Sequence, residues 1–345
     1  MQLGNGPCID CIRDGTRLNG CERNCLLLIL QLTAAKNASL ISITMKHLLP
    51  LKYIDVVEKA GSIRKAAELL SITSTALNRR ILAMEQELGV AIFERMPRGV
   101  RLTSAGEILI HHIRSQMSDM ERVRSQIDDL AGVRRGHINI ACSQAVLAGF
   151  LPQQIQAYRE QHPAVTFGVF LRDRDAAERA LVDHSADLAL VFEPVRLAEL
   201  QSILNVRQRI CAVMSDRHPL ADQAALRLYD CLQFPIAVPT VDYGVRVLLE
   251  QALQGSALKL KPAIESDSFE FLRSSASAPD MVAFEIEIGQ SPVYWMDGEE
   301  MLRIPLSDVP TGQLCLGQLR GRTLSVAAAQ FANQITQELL SRYPE

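Results

Sequence analysis

The sequence predicts two unlike globular parts joined by a long helix. The first is an all-α part closed by a β-hairpin, a winged helix-turn-helix; a linker helix follows, and then an α/β part. Three observations carry this. Between His47 and Thr103, three helical periodicities follow one another and give way to two extended runs around a Pro/Gly turn. From Ser104 to about Ala131, apolar residues recur on a heptad frame. After Gly136, strand-like and helix-like runs alternate. A chain of 345 residues has room for two or three domains, and 48% hydrophobic with 22% charged residues is ordinary for a globular protein.

Charge is distributed unevenly. Residues 45–135 hold 15 Lys/Arg against 11 Asp/Glu, whereas residues 136–345 hold 17 against 25. A basic segment on an acidic body points to one end alone meeting a polyanion. The longest apolar run, Cys25 to Leu30 with Leu32 beyond, falls far below the roughly 20 residues of a membrane span. No spanning helix and no membrane partner are expected.

Residues 1–44 stand apart. Cys8, Cys11, Cys21 and Cys25 follow C-x2-C-x9-C-x3-C, a spacing that invites a zinc or redox reading. No helix or strand pattern frames them, and the CLLLIL run lacks both the basic flank and the cleavage site of a signal peptide. A flexible extension, or a start assigned upstream of Met45, is the preferred reading. Cys142, Cys211, Cys231 and Cys315 show no pairing logic and read as small buried hydrophobes in a reducing cytoplasm.

In residues 45–104, Leu48, Leu51, Ile54, Val56 and Val57 form the stripe of a first helix ending near Ala60-Gly61. Ser62 is the expected N-cap of a second, Ile63 to Leu70, whose Ala66 and Ala67 let a neighbour approach closely. Thr73 opens a third, ending at Gly89, with Leu77, Ile81, Met84 and Leu88 turned to the core. Ser74, Thr75, Asn78, Arg79 and Gln86 lie on or beside the other face, the residue types that read a major groove. Arg79 suits a guanine edge or a phosphate equally. Arg95, Arg98 and Arg101 lie in or beside the hairpin turn, placed for phosphate contact.

Residues 105–133 read as the linker helix. Ser104-x-x-Glu107 fits a capping box. Leu109, Ile113, Met120, Val123, Ile127 and Leu130 form its apolar seam, expected to bury against a second copy of the chain, with packing on its own domain as the alternative. His111 and His112 point about 100° apart, too divergent to share a metal. No metal or other cofactor is expected. Gly132 to Gly136 reads as a hinge. Beyond it, His137–Cys142, Val165–Leu171 and Asp187–Phe192 are predicted strands, with helices over Leu151–Gln161 and Asp175–Asp183 between them.

Three stretches carry a resemblance. Gly61-Ser62-Ile63-Arg64-Lys65-Ala66-Ala67-Glu68-Leu69-Leu70 is similar to G-S-x-x-x-A-A-x-x-L. Leu88-Gly89-Val90-Ala91-Ile92-Phe93-Glu94-Arg95 matches L-G-x-x-L-F-x-R, and Leu102-Thr103-Ser104-Ala105-Gly106 matches L-T-x-A-G. Residues 47–107 resemble the N-terminal domain of the LysR-type transcriptional regulators. Ser74-Thr75-Ala76-Leu77-Asn78 departs from the Q-P-A-x-S that this family often carries, so a family operator does not transfer. Phe150-Leu151-Pro152, His162-Pro163, Asp187-Leu188-Ala189-Leu190, His218-Pro219-Leu220-Ala221 and Glu265-Ser266-Asp267-Ser268 resemble landmarks of the family's effector domain.

The resemblance implies a periplasmic-binding-protein-like fold over 137–340. Lobe 1 would cover about 137–205 and 306–340, and lobe 2 about 206–305. A small-molecule effector would lie between Ser143 and Gln144, at a helix start suited to a carboxylate, and Phe192, Thr240, Ser266 and Phe284. It further implies double-stranded DNA as partner, a homodimer or homotetramer through antiparallel linker helices, and contact with RNA polymerase. Ala278-Pro279-Asp280 replaces an expected Gly-containing turn near the second lobe's cleft. An enzyme is the first rival, but no P-loop, Rossmann fingerprint, G-x-S-x-G or H-E-x-x-H occurs, and no catalytic residue is expected. The second rival, a solute-binding α/β protein, leaves residues 47–104 unexplained.

Overall fold

The computed structural model describes residues 48–130, 135–195, 198–288, 293–296 and 299–344. The extension over 1–44 with its four cysteines, and residues 132–134 of the expected hinge, lie outside these. The chain divides into two compact units, with the boundary between Ile113 and Arg114.

The first unit opens with α1, Leu49–Ala60, which ends on Gly61 in the left-handed conformation (φ 62°). Ile54 and Val57 are buried as expected, but so are Tyr53 and Asp55, while Leu51 and Val56 are only half-buried. Burying Asp55 is tolerable because Lys59 Nζ lies 2.7 Å from its carboxylate. In α2, Ile63–Leu69, Ser62 takes the extended N-cap geometry without making a side-chain cap bond. Ala66 and Ala67 are buried, leaving the flat surface that a close helix crossing needs. In α3, Ser74–Leu88, Thr73 Oγ1 accepts from Ala76 N at 3.2 Å and Gly89 (φ 69°) ends the helix. Leu77 and Ile81 are buried and Met84 half-buried. Leu88 is 48% exposed, a correction to the expected core face. Periodicity shows which side of a helix turns inward, not how far its neighbours reach.

Strands β1, Phe93–Met96, and β2, Gly99–Leu102, pair antiparallel with Phe93 opposite Leu102 and Met96 opposite Gly99, forming the wing. Glu85 Oε1 accepts from the amides of Ile92 (2.8 Å) and Phe93 (3.1 Å), tying the wing's root to α3. The wing also grips the end of α1, since Val100 N donates to Gly61 O at 3.0 Å. Gly99 sits at φ 133° with its α-carbon against that carbonyl, so no Cβ fits there.

The long helix α4, Ser104–Leu130, is capped one residue earlier than its capping-box pattern indicates. Thr103 Oγ1 accepts from Gly106 N at 3.0 Å and donates to Ala91 O at 2.7 Å. Thr103 has this second partner at the wing's root, and Ser104 becomes the first helical residue. Ile110 and Ile113 are buried within the chain, whereas Ile108 (76% exposed), Val123 and Ile127 face outward. Ile113 therefore leaves the expected dimer seam: its side chain already serves this chain's own core. Leu109 and Met120 are half-buried, and the side chain of Leu130 lies outside the described residues.

The second unit holds two sheets. In the first, β3 (Gly136–Cys142), β4 (Val165–Leu171), β5 (Leu188–Phe192), β6 (Leu200–Gln208) and β13 (Gly312–Leu319) lie in the order β4-β3-β5-β13-β6. The second comprises β7 (Ile210–Ser215), β8 (Ile236–Pro239), β9 (Ile264–Ser266), β10 (Val282–Ile286), β11 (Val293–Met296) and β12 (Glu299–Pro305), ordered β11-β12-β7-β10-β8-β9. The chain passes from one sheet to the other between Gln208 and Ile210 and returns between Pro305 and Gly312. Helices α5 (Phe150–Gln161), α6 (Arg174–Val182) and the C-terminal α10 (Val326–Arg342) accompany the first sheet. The short α7 (Leu228–Cys231), α8 (Gly244–Ala252) and α9 (Phe269–Ser275) accompany the second. Among the parallel strands, β5 lies inside the sheet as a continuous apolar run and is buried throughout, whereas the edge strand β4 leaves Val169, Phe170 and Leu171 exposed. Tyr158, Phe167 and Phe331 meet edge to face at the centre of the first lobe, with Tyr158 OH donating to Ala327 O at 3.1 Å.

His218, of the His218-Pro219-Leu220-Ala221 run, folds that loop over the second sheet. Its Nδ1 accepts from Leu220 N at 3.1 Å and its ring packs on Phe234. Burial holds its pKa below the usual 6.5, although the nearby Asp280 favours the cation. The unfolded chain then binds a proton that the native state resists. Stability is complete above about pH 6.5 and falls as the pH drops below it toward the depressed native value. Urea midpoints of the wild type and a His218→Asn variant should converge as pH falls from 7 to 5; a constant gap would contradict this.

Candidate nucleic-acid interface and ligand cleft

On α3 the structure leaves Ser74, Thr75, Arg79 and Gln86 exposed and Asn78 half-buried. On the wing, Arg95, Arg98 and Arg101 are exposed. The two sets are joined, because Arg95 Nη2 donates to Asn78 Oδ1 at 2.9 Å. That bond orients the amide on the helix and the guanidinium on the wing against each other, which neither motif revealed alone. Arg101 reaches Glu94 across the hairpin at 3.1 Å, an exposed pair worth little in water and readily traded for a phosphate. Behind the face, Arg80 donates to the Tyr53 hydroxyl and stacks over its ring, 4.8 Å from the centroid, so α3 is anchored to α1. Sequence reasoning missed Glu85, Arg80 and Tyr53. A carboxylate seven residues before a strand amide has no local signal.

In the second unit, Ser143 closes β3, and its buried hydroxyl has no hydrogen-bond partner among the described residues. The expected helix start after it is only a single 3-10 turn, Gln144–Val146, and α5 begins at Phe150. One turn sums few peptide dipoles, which removes the basis for a strong anion preference there. The amide of Gln144 spans to the other lobe. Its Oε1 accepts from Phe269 N at 2.8 Å, and its Nε2 donates to Asp267 O and lies 3.3 Å from Tyr243 OH. Tyr243 OH donates in turn to Asp267 O at 3.1 Å. Burial raises the Tyr243 pKa, the Gln144 bond opposes that, and Asp267, Asp173 and Asp242 add to it. Arg174 ties the lobes a second time, donating to Glu193 O at 3.0 Å and Asp242 O at 3.1 Å.

The remaining candidates divide. Thr240 and Ser266 stand at the ends of neighbouring strands, Thr240 N donating to Ser266 O at 3.2 Å, and both are half-buried. Phe192 and Phe284 are corrections. Phe284 is wholly buried in the middle of the second sheet. The Phe192 ring fills the space over Gly312 and Gly244, where a Cβ would strike it. Phe192 ends β5 and Phe284 lies mid-strand in β10, and the core takes the apolar mass of both. Tyr243, Asp267 and Arg174 were not anticipated, since loop residues become neighbours only through the fold.

Other reactive groups are quiet. Cys142, Cys211, Cys231 and Cys315 are buried and unpaired with one another; burial pushes the first three thiols up to about 12 and raises the fourth. Among the described residues no three His, Cys, Asp or Glu gather as a metal site requires, and no helix is long and apolar enough to cross a membrane.

Comparison with known proteins places both parts. Residues 48–107 match the bacterial regulatory helix-turn-helix model of the lysR family, and residues 131–340 match the LysR substrate-binding domain. A probable nitrogen assimilation transcriptional activator of Synechococcus elongatus is 28% identical over 220 residues, covering 63% of this chain and 71% of that protein. The HTH-type transcriptional regulator YbhD of Escherichia coli is 27% identical over 293 residues, 83% of this chain and 90% of that one. Among solved structures, a full-length OxyR variant from Pseudomonas aeruginosa aligns with a TM-score of 0.63 at 17% identity, covering 86% of this chain and 95% of that one. Full-length CbnR complexed with its target DNA aligns at 0.60 and 16%, covering 84% and 99%. A helix-turn-helix with a wing, a two-sheet α/β unit and both family matches lead to one conclusion: the chain belongs to the LysR family, a transcriptional regulator with a DNA-binding helix-turn-helix and an effector-binding domain.

Proposed function

We propose that α3 enters the major groove of double-stranded DNA. Ser74, Thr75, Asn78, Arg79 and Gln86 face base edges, and Arg95, Arg98 and Arg101 grip the flanking phosphates. The Asn78–Arg95 bond carries this reading: it locks the helix face and the wing into one surface of amide, hydroxyl and guanidinium donors. Arg79→Ala and Asn78→Ala in the full-length protein should each weaken binding to its best duplex site by about 1–3 kcal/mol, roughly five- to 150-fold, and relax selectivity at the contacted base pair. Arg98→Ala should weaken all sequences alike and flatten the salt dependence. Folded variants that bind with unaltered affinity and selectivity would overturn this assignment.

The second unit takes a small molecule between its lobes, where Ser143 offers a buried hydroxyl without a partner and Thr240 and Ser266 offer strand-end polar groups. The functional segments are 45–104 for DNA, 105–133 for the linker and 137–340 for the effector domain. The exposed Val123 and Ile127, with Leu109 and Met120, form the seam on which two copies meet, as a homodimer or a homotetramer. The protein works in the cytoplasm without catalysis, and its output passes through RNA polymerase.

A further inference from the structure

Within the second unit, the C-terminal part of α4 is held against the five-stranded sheet at two points. Arg114 Nη1 lies 3.8 Å from Asp183 Oδ2, just past α6. One helical turn further on, the Ser118 hydroxyl accepts from Arg322 Nη2. The same Nη2 lies 2.7 Å from Asp187 Oδ1, and Arg322 Nη1 donates to Ala186 O at 3.0 Å. Asp187 is equally committed on its other side: its Oδ2 accepts from Asn139 N at 2.8 Å, and its own amide donates back to Asn139 O at 2.8 Å.

These positions lie where β3 and β5 are rooted. The two strands run parallel from Asn139 and Asp187, pairing Ile140 with Leu188 and Cys142 with Leu190, to the cleft. There Ser143 N donates to Leu190 O at 3.1 Å. A guanidinium is flat, with its donors in a rigid fork, so one that serves a carboxylate, a carbonyl and a hydroxyl together has a single orientation. The Arg322–Asp187 pair is nearly buried, with side chains 10% and 17% exposed, so neither partner is freely replaced by water. The pair needs no third partner to neutralise its charge. The bond to Ser118 adds only direction.

We propose that Arg322 is a positioning residue: it fixes the linker helix on the roots of the two strands that carry the cleft. A relative shift of β3 and β5 at Ser143 would move the Asp187 carboxylate. The guanidinium must then follow it or let go of Ser118, and either response reorients the helix. The link to ligand rests on the cleft reading above; the clamp itself rests on the bonds that Arg322 makes. Packed, bonded elements of this kind pass between discrete arrangements rather than deforming continuously.

Hydrogen exchange on the full-length protein tests it. Ser118→Ala removes one hydroxyl from an exchangeable helix position and leaves the ion pair intact. It should accelerate exchange across amides 114–127 about tenfold, the loss of one charge-assisted hydrogen bond. Exchange in β10 and the thermal midpoint should stay where they are. On the best site selected from random duplexes, its footprint should shift relative to wild type. Arg322→Ala should produce the larger change in the same amides; if it does not fold, Ser118→Ala alone decides. Wild-type exchange across 114–127 in Ser118→Ala, or a footprint identical to wild type, would overturn the proposal. Absence of any wild-type footprint would sink the assigned DNA surface instead, and the exchange result would still decide the clamp.

Discussion

A Glu285→Ala variant should lose about 3–5 kcal/mol of stability, a large share of the roughly 5–15 kcal/mol that a domain possesses. Glu285 lies on β10 with Arg273 of α9 on one carboxylate oxygen and Arg303 of β12, 2.7 Å away, on the other. All three side chains are under a tenth exposed. Removing the carboxylate takes away the one anion that these two nearly buried cations share. Little water reaches them, and neither can withdraw its charge, because a guanidinium does not deprotonate. Glu285→Gln keeps the shape and one acceptor oxygen but loses the charge and turns a donor amide toward the other arginine, so it should fall between. Urea midpoints of the effector unit would check both. An unchanged midpoint for Glu285→Ala would show that the triad contributes nothing to the lobe.

The second large effect is expected at Gly106. In an ordinary helix, glycine to alanine gains about 1 kcal/mol. Here the sign reverses. A Cβ on Gly106 would intrude on Ile92 O, and would stand 3.0 Å from Leu102 Cδ2 and 3.2 Å from Ile92 C. The carbonyl cannot yield cheaply, because it accepts from Thr103 N at 3.0 Å. Overpacking costs about 1–3 kcal/mol, and disturbing that bond adds about 1 kcal/mol. Gly106→Ala should therefore lower the melting transition of the N-terminal unit and abolish tight DNA binding near that temperature, with the effector unit's transition unmoved. Gly89→Ala makes a useful contrast. Its φ of 69° strains any side chain, yet nothing lies within 4 Å of the added Cβ, so it should cost only about 1 kcal/mol. Calorimetry of the two variants would separate crowding from strain; equal shifts would refute the distinction.

Two glycines flanking the wing also show how functional geometry depends on packing that no motif describes. Gly99 and Gly106 bring backbone against backbone at the two ends of the wing, at Gly61 and at Ile92. Their close approach sets the wing's angle, and hence where Arg95, Arg98 and Arg101 stand. The run L-T-x-A-G is thus a joint: Thr103 caps α4 while holding Ala91, and Gly106 admits the carbonyl beside it.

Read by itself, the amino-acid order determined what depends on neighbours within a turn or a hairpin. The three short helices and their ends, Thr73 as a cap, the exposed polar face of α3, the wing and the strand–helix alternation all follow from periodicity and turn chemistry. Only the tertiary structure decided what depends on approach between distant segments. It withdrew Leu88 from the core face, Ile113 from the dimer seam and Phe192 and Phe284 from the cleft. It joined Asn78 to Arg95, Gln144 to Phe269, Glu285 to two arginines and Ser118 to Arg322. The reason is physical: hydrophobic periodicity marks the face an element buries, whereas burial depth and polar partners are set by whatever the chain brings opposite, and in these five pairs that partner lies from 12 to 204 residues away.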